Sequence, residues 1–287
     1  MIHIENIDHF QKIYPYQMCF ASPWFFSTDF AVWEKSFTDD VDGEGRRLFK
    51  ELWVKAAYED HELIGFVQYG KTAFGFDGQG DISSEVSYCV IRNLYFPENR
   101  TDAGEMLLNA ALEAFEPEER VYAFFHYFGM SCFARHGKLF EKHSHIEALL
   151  KRKGFEIEHE NVYYASRLDD VENVDVEILP HNLTAGNQQY LDFLLNGKQV
   201  GGCEVHYLDA KTTYLRWIYV NGDLVGNGIG TKCMSALKQW LYQKGTTRLD
   251  TDTALTNPVA QHLYEKNGFT REGISRSYYR LSKAFRT

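Results

Sequence analysis

The chain has 287 residues, 44% of them hydrophobic and 15% aromatic, which suits one large or two ordinary packed cores and excludes a disordered chain. Forty acidic side chains against thirty basic ones give a net charge of −10, which argues against a nucleic-acid partner, because phosphate contacts need clustered lysine and arginine. Five scattered cysteines without CxxC spacing, and no apolar run near the ~18 residues of a membrane span, predict no metal, no disulfide framework, no membrane partner and a cytoplasmic protein.

In chain order, the first elements are a helical stretch around Asp29 to Phe37 and a strand pair, Leu52 to Tyr58 and Leu63 to Tyr69. An apolar run then carries Arg92-Asn93-Leu94-Tyr95-Phe96. It leads through a polar loop to a helix-period segment with Leu107, Ala110, Ala111, Ala114 and Phe115 on one face. A long insertion, Gly129 to His145, precedes Leu149-Leu150-Lys151-Arg152-Lys153-Gly154-Phe155, which reads as a last helical turn with cations at its negative end and glycine as the stop. A strand with Tyr163-Tyr164 follows, and the acidic stretch Leu168 to Asn173 marks a join too short for a flexible linker.

Beyond the join the same order returns. Val174 to Leu179 and a hairpin, Gln189 to Leu195 with Gln199 to Leu208 turned at Asn196-Gly197, lead to Arg216-Trp217-Ile218-Tyr219-Val220. After a Gly-rich loop comes a helix with Cys233, Ala236, Leu237, Trp240 and Leu241 on one face, then a strand, Thr247 to Thr251. A helix opened by Asn257-Pro258 and stopped by Gly268 precedes a strand with Tyr278-Tyr279. These matched features predict a tandem repeat of one α/β domain, each copy a twisted mixed β-sheet flanked by helices, over residues 1–168 and 174–287. The second copy is shorter ahead of its arginine strand and has little room there for the helices of the first.

Chemistry concentrates in the second copy. Val225-Gly226-Asn227-Gly228-Ile229-Gly230-Thr231 stands between a strand and a helix. Glycines there let backbone N–H groups close around an anion, and the helix N-terminus adds partial positive charge. Such a triplet alone is as often a tight connection. Its spacing is not the dinucleotide fingerprint. Asn257, Pro258 and Gly268 serve as helix punctuation, which does not account for Tyr264 one turn before the end.

In this order, residues 213 to 269 resemble the acetyl-CoA-binding core of the Gcn5-related N-acetyltransferase superfamily. The likeness rests on the strand ending in Val220, the loop Val225-x-x-Gly228-x-Gly230, and Asn257…Ala260…Leu263-Tyr264…Gly268-Phe269. The loop departs once, with Val225 where the family prefers Gln or Arg. The resemblance implies that the Val220 strand and the Thr247 to Thr251 strand splay to admit a pantetheine arm, which pairs with Ile218, Tyr219 and Val220. It implies that Val225, Gly226, Asn227, Gly228, Ile229, Gly230 and Thr231 hold the pyrophosphate through backbone N–H groups, and that Asn257 bonds the pantetheine chain. Tyr264 would protonate the departing thiolate. Acetyl-CoA is thereby implied as co-substrate, and the primary amine of a small molecule or peptide as the acceptor that attacks it directly. The family often carries a carboxylate on the arginine strand as general base. This strand has none, and Glu204 on the preceding strand is the candidate, weighed against a half-exposed strand carboxylate of no catalytic role.

The first copy departs from that pattern. Asp102, Gly104 and Met106 align with Gly226, Gly228 and Gly230, Glu105 adds a second negative charge, and Leu150 replaces Tyr264. It is expected to have lost CoA binding and to contribute the acceptor pocket. In its insertion, Cys132 with His136 hints at a nucleophile pair and His143 with His145 at metal ligands, but neither pair has a third partner in sequence. A non-catalytic acyl-CoA sensor is the competing function. An aminoacyl-tRNA-dependent transferase is disfavoured by the acidic balance, and no feature fixes the oligomeric state.

Overall fold

The computed structural model describes residues 1–116, 119–169, 174–184 and 187–281. They fall into two units, Met1–Glu160 with Ser275–Thr287, and Asn161–Ile274. The first elements are β1 (His3–Asn6), α1 (Ile13–Met18), α2 (Phe30–Thr38), β2 (Phe49–Glu59), β3 (Glu62–Thr72), β4 (Gly75–Phe76), β5 (Ile82–Ser83) and β6 (Cys89–Tyr95). Then come α3 (Thr101–Leu112), β7 (Val121–Ala123), β8 (Leu139–Phe140), α4 (Ser144–Arg152) and β9 (Glu156–Arg167). The remainder is β10 (Val176–Pro180), β11 (Gln188–Leu195), β12 (Lys198–Tyr207), β13 (Thr212–Val220), α5 (Ile229–Gln243), β14 (Arg248–Ala254), α6 (Pro258–Lys266) and β15 (Thr270–Arg280). The chain passes from the first unit to the second inside β9 and returns inside β15.

In the first unit the sheet runs β1-β2-β3-β6-β7, then residues 278–280 of β15, with β8 against residues 275–276. Trp33, Phe37, Phe66, Val90, Leu94 and Leu107 are fully buried in its core. Asp29 opens α2 as its N-cap, the carboxylate accepting the Val32 N–H at 2.8 Å. The helix expected to reach Phe115 ends at Leu112. Phe115 is buried from the turn that follows, its ring edge-on to Tyr69 at 5.9 Å.

In the second unit the order is residues 161–167 of β9, then β14-β13-β12-β11-β10. Leu191, Phe193, Val205 and Leu215 from the strands meet Leu237 and Leu241 of α5 in its core. Asn196 and Gly197 take φ of 52° and 73°, the paired left-handed values that a two-residue hairpin turn with right-handed strand twist requires. Of the expected join, residues 170–173 lie outside the described residues. Among the described residues no helix is long and apolar enough to cross a membrane.

Both units carry the same irregularity. In the first, β6 and β7 pair in parallel from Cys89↔Val121 to Ile91↔Ala123, and Arg92 is an extra residue bulged against β3. In the second, β13 and β14 pair in parallel from Thr212↔Arg248 to Leu215↔Thr251, and Arg216 is the extra residue against β12. The sequence repeat is therefore a structural repeat, with the two arginines at one position. Their surroundings differ. Arg92 is buried, paired with Asp40 at 2.6 Å and donating to the Ser36, Phe128 and Gly129 carbonyls. Arg216 is half exposed and donates to Glu204. Beyond the last pair, β13 continues to Val220 and β14 to Ala254 as separating strands.

Candidate functional site

Where β13 and β14 part, the chain passes through a 3-10 turn, Gly222–Leu224, and enters α5. Gly226 and Gly228 take φ of +88° and +77°, and a Cβ on either would meet no atom within 4 Å. Backbone sign, not crowding, thus calls for glycine at both. Gly228 is the N-cap of α5 and has no side-chain cap bond, so the first N–H groups of the helix are available to an outside acceptor, with the helix dipole behind them.

A cleft of about 370 Å³ opens there. Ile218, Tyr219 and Val220 form one wall, with Val225, Gly226, Gly228, Gly230 and Thr231 at the loop, and Val259, His262, Leu263 and Lys266 opposite. The strand and loop residues were singled out in the sequence. Of the four on α6 only Leu263 was, within the Asn257 to Phe269 motif, although their i, i+3, i+4, i+7 spacing puts all four on one helix face. The mixed polarity of that stripe hid it from a search for core faces. Gly230 is informative, because an added Cβ would lie 3.4 Å from Leu263 Cδ1 and 3.8 Å from Val220 Cγ2, ordinary contact distances. The protein's own packing does not demand glycine at 230.

The remaining singled-out residues lie outside that lining. Asn227 is exposed, and Ile229 packs against the core. Asn257 caps α6, its Oδ1 accepting the Ala260 N–H at 3.2 Å. Tyr264 is buried, its ring 5.6 Å from that of Tyr164 and 5.4 Å from that of Phe269. Burial raises the Tyr264 pKa, partly offset by a hydrogen bond to Thr251, so the phenol keeps its proton through neutral pH. Glu204 accepts from Arg216 Nη1 at 2.9 Å and from Trp217 Nε1 at 3.0 Å, which occupies both of its oxygens.

In the first unit the counterpart of the α5 N-terminus is the N-terminus of α3. There the Asp102 carboxylate accepts the Ala103 N–H at 2.8 Å and Arg100 Nε at 3.3 Å, placing negative charge on the helix N-terminus. Gly104 serves packing, since a Cβ would fall 2.4 Å from the Phe96 ring. In the insertion, burial pushes the Cys132 thiol up to about 12 and His136 stacks on Trp24 at 3.9 Å. A thiol with so high a pKa is a poor nucleophile. Among the described residues no group of three or more His, Cys, Asp or Glu is placed to hold a metal ion.

Residues 153–269 match the model of the Acetyltransferase (GNAT) family. The match begins ahead of the join and so takes in β9. The whole chain is similar in fold to a tandem GNAT protein from the clavulanic acid biosynthesis pathway, with 11% identity, a TM-score of 0.61 and coverage of 98% of this chain and 99% of that one. It is also similar to the GCN5-related glucosamine N-acetyltransferase region of a fungal multi-domain GH3 β-N-acetylglucosaminidase, at 12% identity and a TM-score of 0.64 over 97% of this chain. This chain spans 38% of that fungal protein. A GNAT-family acetyltransferase from Colwellia psychrerythraea aligns at 14% identity and a TM-score of 0.52, covering 97% and 99% of the two chains. No curated protein matches the sequence. The fold is therefore a tandem GNAT-like α/β architecture, with the family match confined to one stretch that holds the glycine loop and α6.

Proposed function

We propose that the chain is an N-acyltransferase that moves the acetyl group of acetyl-CoA to a primary amine of a small molecule or peptide by direct attack. The observation that carries this reading is the cleft at the uncapped N-terminus of α5, continuous with the unpaired edge of β13. Phosphates suit the N–H groups of residues 226–231, and a pantetheine chain suits the β13 edge at Ile218 to Val220 as an added strand. Asn257, the N-cap of α6, is the residue assigned to bond that chain. Tyr264, protonated at neutral pH, is the acid for the leaving thiolate, and Glu204 is retained as a carboxylate on the neighbouring strand. In this reading residues 174–287 form the catalytic half. Residues 1–168 serve acceptor recognition, because the α3 N-terminus carries Asp102 and repels phosphate. The five cysteines are free and three are buried, which suits a reducing cytoplasm.

Acetyl-CoA should raise the melting temperature of the wild type and leave that of Gly228→Glu unchanged, because a ligand that binds only the folded state stabilises it. No rise in the wild type would remove the reading. The second reading, a non-catalytic acyl-CoA sensor, is favoured by the occupied oxygens of Glu204. Thiol release from acetyl-CoA on adding amines separates the two.

A further inference from the structure

We infer that Asp252, on the face of the second unit's sheet opposite Tyr264, takes the proton of the acceptor amine. The inference rests on the transferase reading above and names the base which that reading leaves to Glu204.

Asp252 is the first β14 residue past the last β13–β14 pair, Leu215↔Thr251, so it stands at the point where the strands part. Alternation along the strand turns Thr251 toward Tyr264, to which it is hydrogen-bonded, and Asp252 to the other face. The two groups thus flank the opening from opposite sides. That is the arrangement in which an amine enters from one face while sulfur leaves toward an acid on the other.

The Asp252 carboxylate is held by its neighbours. Oδ1 accepts from the Tyr214 hydroxyl and Oδ2 from Asn161 Nδ2. The Tyr163 and Tyr214 rings stack at 6.4 Å beside it, and the Tyr163 hydroxyl donates to Asp250 at 3.0 Å, which Arg248 also holds at 2.8 Å. Asn161 is itself buried, and its Oδ1 has no hydrogen-bond partner. An ammonium group brings donors only, which a carboxylate and a spare amide oxygen can receive. Glu204 is held at both oxygens too, but one of its partners is the guanidinium of Arg216, a fixed positive charge that opposes its taking a proton.

The first unit supplies an internal control. Aligned on the bulged arginines, Tyr214, Asp250 and Asp252 correspond to Val90, Tyr122 and Phe124. Leu150 stands for Tyr264 in the sequence repeat. The unit without the glycine loop keeps the bulge and has a phenylalanine where the second unit has Asp252.

In the step, Asp252 takes one proton from the acceptor's ammonium. The neutral nitrogen then forms a C–N bond to the thioester carbonyl carbon, and the C–S bond breaks with its electron pair on sulfur. Sulfur takes the Tyr264 proton, and the second proton lost by nitrogen restores the phenol through water. Asp252 returns its proton to solvent.

The test follows thiol release from acetyl-CoA with glucosamine, an amine largely protonated below neutral pH, and with hydroxylamine, which is already neutral at pH 7. Asp252→Asn should lower kcat/KM for glucosamine at pH 7 by ~10²–10³-fold, recover as pH rises, and affect hydroxylamine far less. The melting shift given by acetyl-CoA should stay as in the wild type. Tyr214→Phe keeps the carboxylate but removes a donor to its charged form, so the acidic limb should move to higher pH. Asp252→Asn within about threefold of the wild type, or equal losses with both amines, would overturn the inference. If that variant does not fold, an unmoved acidic limb in Tyr214→Phe overturns it instead. Wild-type enzyme that binds acetyl-CoA and turns over neither amine overturns it as well. Wild type that fails to bind acetyl-CoA removes the transferase reading beneath it.

Discussion

Gly230→Ala separates what the fold needs from what a ligand needs. Gly230 is the second residue of α5, and the added methyl would meet Leu263 at 3.4 Å and Val220 at 3.8 Å, with no backbone atom in the way. Its φ is not in the left-handed region that strains an alanine. Alanine is preferred over glycine in a helix by about 0.5–1 kcal/mol. For a chain of this size that corresponds to a rise of about 1–3 °C in melting temperature without ligand. The same methyl projects into the cleft lined by Val220, Thr231 and Leu263. A tenfold loss of acetyl-CoA affinity, about 1.4 kcal/mol, is the expected order. The assay is a thermal melt across an acetyl-CoA titration, with calorimetry for the binding constant. A lower melting temperature in the free protein would show that the fold itself requires the glycine. An unchanged affinity would show that the cleft is not where acetyl-CoA lies.

Further outcomes follow from the same geometry. Tyr264→Phe should lower kcat by ~10²–10⁴-fold while acetyl-CoA binding, read by calorimetry, is kept. Burial raises the Tyr264 pKa above 10.0, so the wild-type rate should show no falling limb from this group below that pH. In the first unit, burial lowers the His143 pKa from 6.5 to about 4. Its neutral form is favoured in the folded state, so its contribution is complete above pH 6.5 and is lost as pH falls toward 4. His143→Phe should therefore show a smaller drop in melting temperature between pH 7 and pH 5 than the wild type, and an equal drop would refute the assignment.

Much of this was legible because short-range chemistry dictates it. The hairpin at Asn196-Gly197, the cap at Asn257, and the stops at Gly154 and Gly268 are local backbone events, and the structure places them where the residues predict. The repeat was visible as Arg92 and Arg216 in matched strands, although only strand register shows that both are bulge residues. The strand and loop side of the cleft was legible from the glycines. Of the α6 side only Leu263 was, because Val259, His262, Leu263 and Lys266 alternate in polarity and do not read as one face. Asp252 was hidden for another reason. Its Tyr214 and Asn161 partners lie far from it along the chain, and only the pairing of β9 with β14 brings Asn161 beside it. A strand's periodicity states which face is buried, not which strand lies alongside.

The crossing of the chain inside β9 and β15 has a consequence for synthesis. Residues 161–274 form one uninterrupted run, and Val162 and Tyr164 at its start belong to its core. The first unit lacks residues 278–280 against β7 until they have been made, after the whole of residues 161–274. Domains ordinarily fold as they emerge from the ribosome, N-terminal first. Here the later-made unit is complete at residue 274, and the earlier one waits with the edge of β7 unpaired until residues 278–280 have been made.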